Sequence, residues 1–223
     1  GAQAMRNCTN STIWRLAMGF DAQELKMLLP FRHRVDGFSF IATKLFYPGA
    51  TLVRRPFHIR QKSNLRFEPG FTTGHGCRFE MFDEGVIELG RNCRIGDNVH
   101  LAALHKITIG DDCLFASKIF ISDLSHGSYG REGCDPRTPP NDRPLVGSPV
   151  TIGDNVWLGE NVVVLQGVTI GSGCIIGANS TVSRSIPENC IAVGSPARPI
   201  KAYDDETGSW VPVPCRGIAE GVR

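Results

Sequence analysis

The chain has 223 residues, 41% of them hydrophobic, and its 24 basic and 22 acidic side chains leave a formal net charge of +2. That is enough apolar material for one globular domain, and the near balance of charge, without a long basic run, excludes a nucleic-acid protein. No stretch of about 18 apolar residues and no signal-peptide core is present, so neither a spanning helix nor an export leader is expected and the chain is placed in the cytoplasm.

In chain order, Gly1 to Ala4 precede a plausible start at Met5, and residues 1–49 read as an N-terminal capping segment. Within it, Asp21 to Leu29 suits a short helix capped by Asp21 and ended by Pro30. Phe38 to Phe46 is apolar enough to be buried, but its pattern does not separate helix from strand. From Ala50 to Gly85 a repeat is present but loose, with Leu52, Phe57, Ile59, Leu65, Phe67 and Phe71 as inward candidates. A regular period of six begins at Leu89, Ile95 and Leu101, slips by two residues, and resumes at Ile109, Phe115 and Ile121. It breaks after His126. The stretch HGSYGREGCDPRTPPNDRPLVGSPV, with five prolines and four glycines, matches no hexapeptide, so residues 127–149 are expected to leave the repeat and return to it. Excursions of that length in a compact domain are commonly functional.

The repeat is strictest from Ile152 to Ile186. Ile152, Leu158, Val164, Ile170, Ile176 and Val182 recur every sixth residue, which no α-helix allows. Three hexapeptides close one triangular coil, and the head residue of each points inward to stack on its counterpart one coil away. An all-β parallel β-helix over residues 50–203, followed by a tail over 204–223, is the predicted architecture. Asn155, Asn161 and Asn179 fall where corners need positive φ. Cys93, Cys113 and Cys174 sit in the fifth place of a hexapeptide, where a small apolar residue is wanted, so they read as core thiols. Without a CxxC pair, zinc is not required on that ground, and the sequons at Asn7, Asn10 and Asn179 are read as chance matches.

The run IGDNVWLGENVVVLQGVTIGSGCIIGANSTVSRSIPENCIAVGSPARPIK resembles the C-terminal signature of hexapeptide acyltransferases, whose fold is a left-handed β-helix. It is most similar to the maltose- and galactoside-type sugar O-acetyltransferases and, among these, most of all to their lipopolysaccharide and capsule O-acetyltransferase relatives. The resemblance spans roughly residues 50 to 210 and is weaker before Leu89. It implies transfer of an acetyl group from acetyl-CoA to a sugar hydroxyl in surface-polysaccharide biosynthesis, by a homotrimer and without a metal.

The segment ITIGDDCLFASKIFISDLSH runs without a gap to His126, as it does in the galactoside-type enzymes, and the resemblance makes His126 the catalytic base. The chemistry agrees, because a sugar hydroxyl attacks a thioester only as its proton is removed, and an imidazole, which titrates near neutrality, suits that task. Direct transfer needs no acyl-enzyme. Whether Asp123 or a backbone carbonyl orients the ring is left open by the sequence. Trp157, on an outward position of the NVWLG motif, implies a covering surface, either a subunit contact or the wall of the acceptor pocket beside His126. His100, Asp123 and Ser125 are the acceptor-binding candidates. For the CoA arm and its phosphates the resemblance points to Gly159, Gly177, Ala178, Arg184, Arg198 and Lys201.

Three alternatives stand beside this reading. The same site would serve N-acetylation of an amino sugar. A zinc enzyme like the γ-class carbonic anhydrases would use His100 and His105, with His75 as a third ligand. A non-catalytic β-helix scaffold would turn over no thioester at all.

Overall fold

The computed structural model describes residues 34–130 and 133–213. Residues 39–223 form one contact unit and residues 1–38 another, of which residues 34–38 are described, as the first turn of a helix. The expected helix over Asp21 to Leu29 lies outside the described residues.

After the helix that begins with that turn and ends at Phe46, the described chain is a left-handed β-helix. Its strands fall in repeating order onto three parallel sheets, here called faces A, B and C. Face A contains β1 (Leu52–Val53), β4 (Thr72–Thr73), β7 (Arg94–Ile95), β10 (Leu114–Phe115), β15 (Trp157–Leu158), β18 (Ile175–Ile176) and β20 (Cys190–Gly194). Face B stacks β2 (Phe57–Arg60), β5 (Cys77–Met81), β8 (His100–Ala103), β11 (Phe120–Ser122), β16 (Val163–Val164) and β19 (Thr181–Val182). Face C stacks β3 (Leu65–Phe67), β6 (Val86–Leu89), β9 (Lys106–Ile109), β14 (Val150–Ile152) and β17 (Thr169–Ile170).

The register shows why the repeat is strict at one end and loose at the other. Ile152 pairs with Ile170, Leu158 with Ile176 and Val164 with Val182, three hexapeptides per coil. Earlier coils are longer by one pair of residues, as Ile95 pairs with Phe115 and Leu101 with Ile121. The second is longer by another pair, as Thr73 pairs with Ile95 and Phe79 with Leu101, whereas the first again has the shorter spacing, Leu52 pairing with Thr72 and Phe57 with Cys77. The extra residues lengthen face B and its corner with face C, and the wider coils are filled by larger side chains. Phe71, Phe79, Phe115 and Met81, the bulkiest fully buried residues, all belong to the first four coils, while the last coils are filled by Val, Ile, Leu, Cys and Ala. Val53 rather than Leu52 is the inward residue of β1, and Ile59 and Phe67 are only partly buried against the core.

Two corners repeat a left-handed residue from coil to coil. Between faces A and B it is Gly76, Asn98, Lys118, Asn161 and Asn179; between C and A it is Gly70, Asn92, Asp112, Asn155, Gly173 and Asn189. Asparagine accepts positive φ at small cost and its amide reaches the next coil, as when Asn161 Nδ2 donates to Asn179 Oδ1 at 3.0 Å. The thiols of Cys93, Cys113, Cys174 and Cys190 are buried along face A, with Val156 between the two pairs. Burial raises the Cys174 and Cys190 thiols above their usual range and pushes Cys77 up to about 11, which keeps these three protonated and unreactive.

Phe38 to Phe46 lies in helix α1 (Arg34–Phe46), which settles the open choice between helix and strand. From Ser39 onward its inner face packs on the first coil: Ser39, Phe40, Ala42, Thr43 and the following Tyr47 are buried. The Thr43 hydroxyl accepts the Val53 N–H at 2.8 Å and donates to Ser39 O at 2.7 Å, tying helix to coil. At the other end the chain reverses rather than trailing off. Strand β21 (Ala197–Asp204) pairs antiparallel with β20, and β22 (Ser209–Pro212) with β21, adding two strands to face A and carrying ordered structure beyond residue 203.

Candidate active site

The fourth coil is interrupted where face B would turn into face C. Strand β11 ends at Ser122, and the chain leaves as β12 (Leu124–His126), which pairs antiparallel with β13 (Leu145–Gly147) before the coil resumes at Val150. His126 therefore stands on a two-stranded ribbon outside the coil, not on the last position of a coil side as its sequence spacing suggests. Its side chain is exposed.

The root of this ribbon is fixed by Asp123. Fully buried, its carboxylate accepts the N–H groups of Leu104, His105 and Lys106 at 2.6, 2.8 and 2.7 Å. These three belong to the corner of the preceding coil, which would otherwise face the gap with unpaired donors. The Asp123 carbonyl accepts the Ser148 N–H at 2.9 Å, closing the two ends of the excursion on each other. A side chain at Gly147 would meet that carbonyl at 2.0 Å, so only glycine permits the approach. Asp123 is thus removed from the acceptor-binding set, and from the orientation of His126, because both carboxylate oxygens are committed to backbone.

Beyond His126 the loop is held by a residue that sequence reading passed over. The Arg143 guanidinium donates to Thr138 O at 2.9 Å, to Pro136 O at 3.1 Å and to the Tyr129 hydroxyl at 3.1 Å. Tyr129 in turn donates to the His126 carbonyl. Gly127, at φ 88°, is buried between Cys134 and Arg143, where a side chain would meet the Cys134 sulfur at 2.9 Å. The backbone of His126 is therefore anchored from both sides while its ring stays open to solvent. An arginine in a proline-rich loop was the available signal. Ser125 is half-buried and pairs with Val146, and as the strand neighbour of His126 it points to the opposite side of the ribbon.

His100 lies on face B, the face that runs into the excursion. Its Nε2 is 2.9 Å from Glu80 Oε2, and its ring packs against Phe120 at 5.2 Å. Burial alone would raise the Glu80 carboxyl, but hydrogen bonds and charge from Arg78 and His100 together hold it below the usual carboxylate range. His75 Nδ1 is 2.7 Å from the Arg55 carbonyl, so two of the three histidines in the zinc alternative have other partners. Among the described residues no group of three or more His, Cys, Asp or Glu side chains converges to hold a metal ion.

Trp157 projects from face A and is 48% exposed, directly beside Leu114, which is 47% exposed, in the outward row that continues through Ile175 and Ile191. Face A lies opposite the B–C corner of a triangular coil. Within one chain, Trp157 and the root of the ribbon bearing His126 thus face away from each other.

The residues expected to meet CoA cluster at the C-terminal coils. Gly159 and Gly177 stack at the A–B corner, and their N–H groups donate to Ile176 O at 2.8 Å and Ala192 O at 2.9 Å, so these donors are spent within the coil. A side chain on Gly159 would meet the Ala178 nitrogen at 2.7 Å, which requires glycine for the close approach. Ala178, Arg184, Arg198 and Lys201 are exposed, the last two on β21 beyond the final coil.

Comparison with known proteins places this arrangement. The family model described as bacterial transferase hexapeptide (six repeats) matches residues 149–184. WbbJ of Escherichia coli (strain K12), named as a lipopolysaccharide biosynthesis O-acetyl transferase, is 45% identical over 172 residues, covering 76% of this chain and 88% of WbbJ. Among solved structures, AntD, an N-acyltransferase from Bacillus cereus in complex with dTDP and 3-hydroxybutyryl-CoA, superposes with a TM-score of 0.60 at 18% identity, covering 84% of this chain and 91% of AntD. A variant of AntD bound to dTDP-4-amino-4,6-dideoxyglucose and coenzyme A gives 0.59 at 20% identity, over 70% and 82% of the two chains. Those two likenesses concern the fold. By its relationship to WbbJ over most of both chains, this protein belongs to the hexapeptide-repeat acetyltransferases.

Proposed function

We propose that the protein transfers an acetyl group from acetyl-CoA to a hydroxyl of a sugar unit of lipopolysaccharide or a related surface polysaccharide, acting in the cytoplasm, where acetyl-CoA is made. One observation carries the reading: an imidazole on a braced, solvent-open ribbon, in a chain 45% identical to an enzyme named for lipopolysaccharide O-acetylation. His126 takes the proton of the attacking hydroxyl as the oxygen closes on the thioester carbonyl, and CoA leaves as the thiol when the tetrahedral adduct collapses. The pantetheine arm runs along the corner at Gly159 and Gly177 past the exposed Ala178, with Arg184, Arg198 and Lys201 available to its phosphates. His100, on the face that runs into the ribbon, is the candidate for the acceptor side, whereas Ser125 points to the other side of the ribbon from His126.

The test is thiol release from acetyl-CoA by the purified protein against simple sugars, nucleotide sugars and lipopolysaccharide fragments. Release with a hydroxyl acceptor, and an O-acetyl ester found in the product, is the expected result. An amide product would move the reaction to the amino sugar, and absence of CoA binding would remove the acyltransferase reading.

We further propose a homotrimer. Packing three coils about a threefold axis sets the exposed Leu114–Trp157 row of one copy against a neighbour and brings another copy's ribbon toward it, so that His126 and Trp157 meet only between chains. Trp157→Ala is expected to lower the sedimenting mass from trimer toward monomer and to cut turnover with it. A variant that stays trimeric but loses acceptor affinity would confine Trp157 to the pocket, and one unchanged in both would refute either role.

A further inference from the structure

We infer that the N-terminal end of the coil is a docking surface for an anionic lipid bilayer, independently of the acceptor proposed above. Three observations at that end coincide. First, α1 turns a second apolar face outward: Ile41 is 43%, Leu45 66% and Phe46 53% exposed, although the opposite side of the same helix is fully packed. Ile41 and Leu45 are four residues apart and share a stripe. Second, residues 39–67 contain six lysines and arginines and no aspartate or glutamate, whereas residues 68–213, the rest of the coil, contain 11 basic and 18 acidic residues, a net −7. A chain of nearly balanced charge is therefore strongly polarised along its coil. Third, one of these cations lies directly against the apolar stripe. The Lys62 ammonium donates to Phe46 O at 2.6 Å and sits 5.7 Å from the Phe46 ring and 4.6 Å from that of Tyr47. Arg60, exposed on β2, stacks over Phe82 at 4.6 Å. Neither Lys62 nor Arg60 has a carboxylate partner among the described residues, whereas Arg66 is paired with Glu88 at 3.0 Å.

An aromatic and two branched aliphatics, with Lys62 against the aromatic and Arg60 exposed on the same first coil, match the acyl–headgroup boundary of a bilayer, where the side chains enter the apolar layer and the cations meet lipid phosphates. The charge argues against the other occupants. A second copy docking through its own N-terminal end would set two poles of the same sign against each other. An acidic polysaccharide would use the cations and leave Leu45 and Phe46 without a partner.

The test is flotation of the full-length protein with phosphatidylcholine vesicles, with and without phosphatidylglycerol, at low and at moderate salt. The protein is expected to float only with phosphatidylglycerol, and less as salt rises. Lys62→Glu and the double variant Leu45→Glu with Phe46→Glu should each reduce the floated fraction at least ten-fold. All these side chains are exposed, and urea melts of the variants verify that the fold persists. Failure of the parent protein to float, equal flotation on both vesicles, undiminished flotation of both variants, or a change in their oligomeric state would each overturn the inference. Vesicle binding does not involve acyl transfer, so none of these outcomes bears on the proposed reaction.

Discussion

His126→Ala is expected to lower kcat by about 10²- to 10⁴-fold, the range that a positioned general base supplies, while acetyl-CoA binding measured by calorimetry stays within about two-fold. The two effects separate because of where the residue stands. Its side chain is exposed on the ribbon, whereas the CoA candidates lie at the C-terminal coils. The loop bracing uses the His126 carbonyl, which alanine retains, so the ribbon should keep its shape. A variant with parental turnover would end the assignment of the base. A variant that also fails to bind CoA would mean that His126 serves the donor site.

Asp123→Ala is expected to be the most destabilising single change near the site. It leaves three N–H groups of one corner without an acceptor, at bonds now 2.6 to 2.8 Å long, and opens a void at a fully buried position. With some of the loss recovered by water at this partly open corner, the cost is about 2 to 4 kcal/mol, or roughly 5 to 15 °C in melting temperature for a chain of this size. Asp123→Asn should recover only part, because its NH2 group would confront donors rather than accept from them. Turnover should fall in both variants, since the ribbon that carries His126 loses its root. Thermal melts at one fixed protein concentration check this, and an unchanged midpoint for Asp123→Ala would show that the corner is satisfied by other means.

The two residues also show what the sequence could reveal. A period of six announces its fold wherever each coil is made of three whole hexapeptides, because inward positions then recur without exception from Ile152 to Val182. The same architecture is harder to recognise before Leu89, where the longer coils place Val53, Phe57, Leu65 and Phe71 at uneven spacing. The reversing strands β21 and β22 follow no hexapeptide and, as alternating segments joined by a turn, carry only a weak signal. At the site, the excursion was readable from the break in the repeat, but its start was not: the chain leaves the coil after Ser122, ahead of His126 rather than behind it. The work of Asp123 was hidden because its partners, Leu104 to Lys106, sit one coil back, where no local motif links them to it. Arg143 was hidden for a related reason, as it acts through carbonyls that have no side-chain signature.

The register of the strands also bears on how the chain reaches this state. Most rungs join residues a single coil apart, so a coil can add to its neighbour with short searches and the contact order stays low for a β protein. The turn that spans the excursion differs: its three rungs, Ile109 with Ile152, Phe115 with Leu158 and Ile121 with Val164, all enclose the inserted loop. Closing it costs about 0.8 kcal/mol more chain entropy than closing an uninterrupted coil. The solenoid is in that sense two locally folding blocks joined by a single long closure, and the bond from Ser148 to Asp123 lies at the seam where the second block is registered on the first.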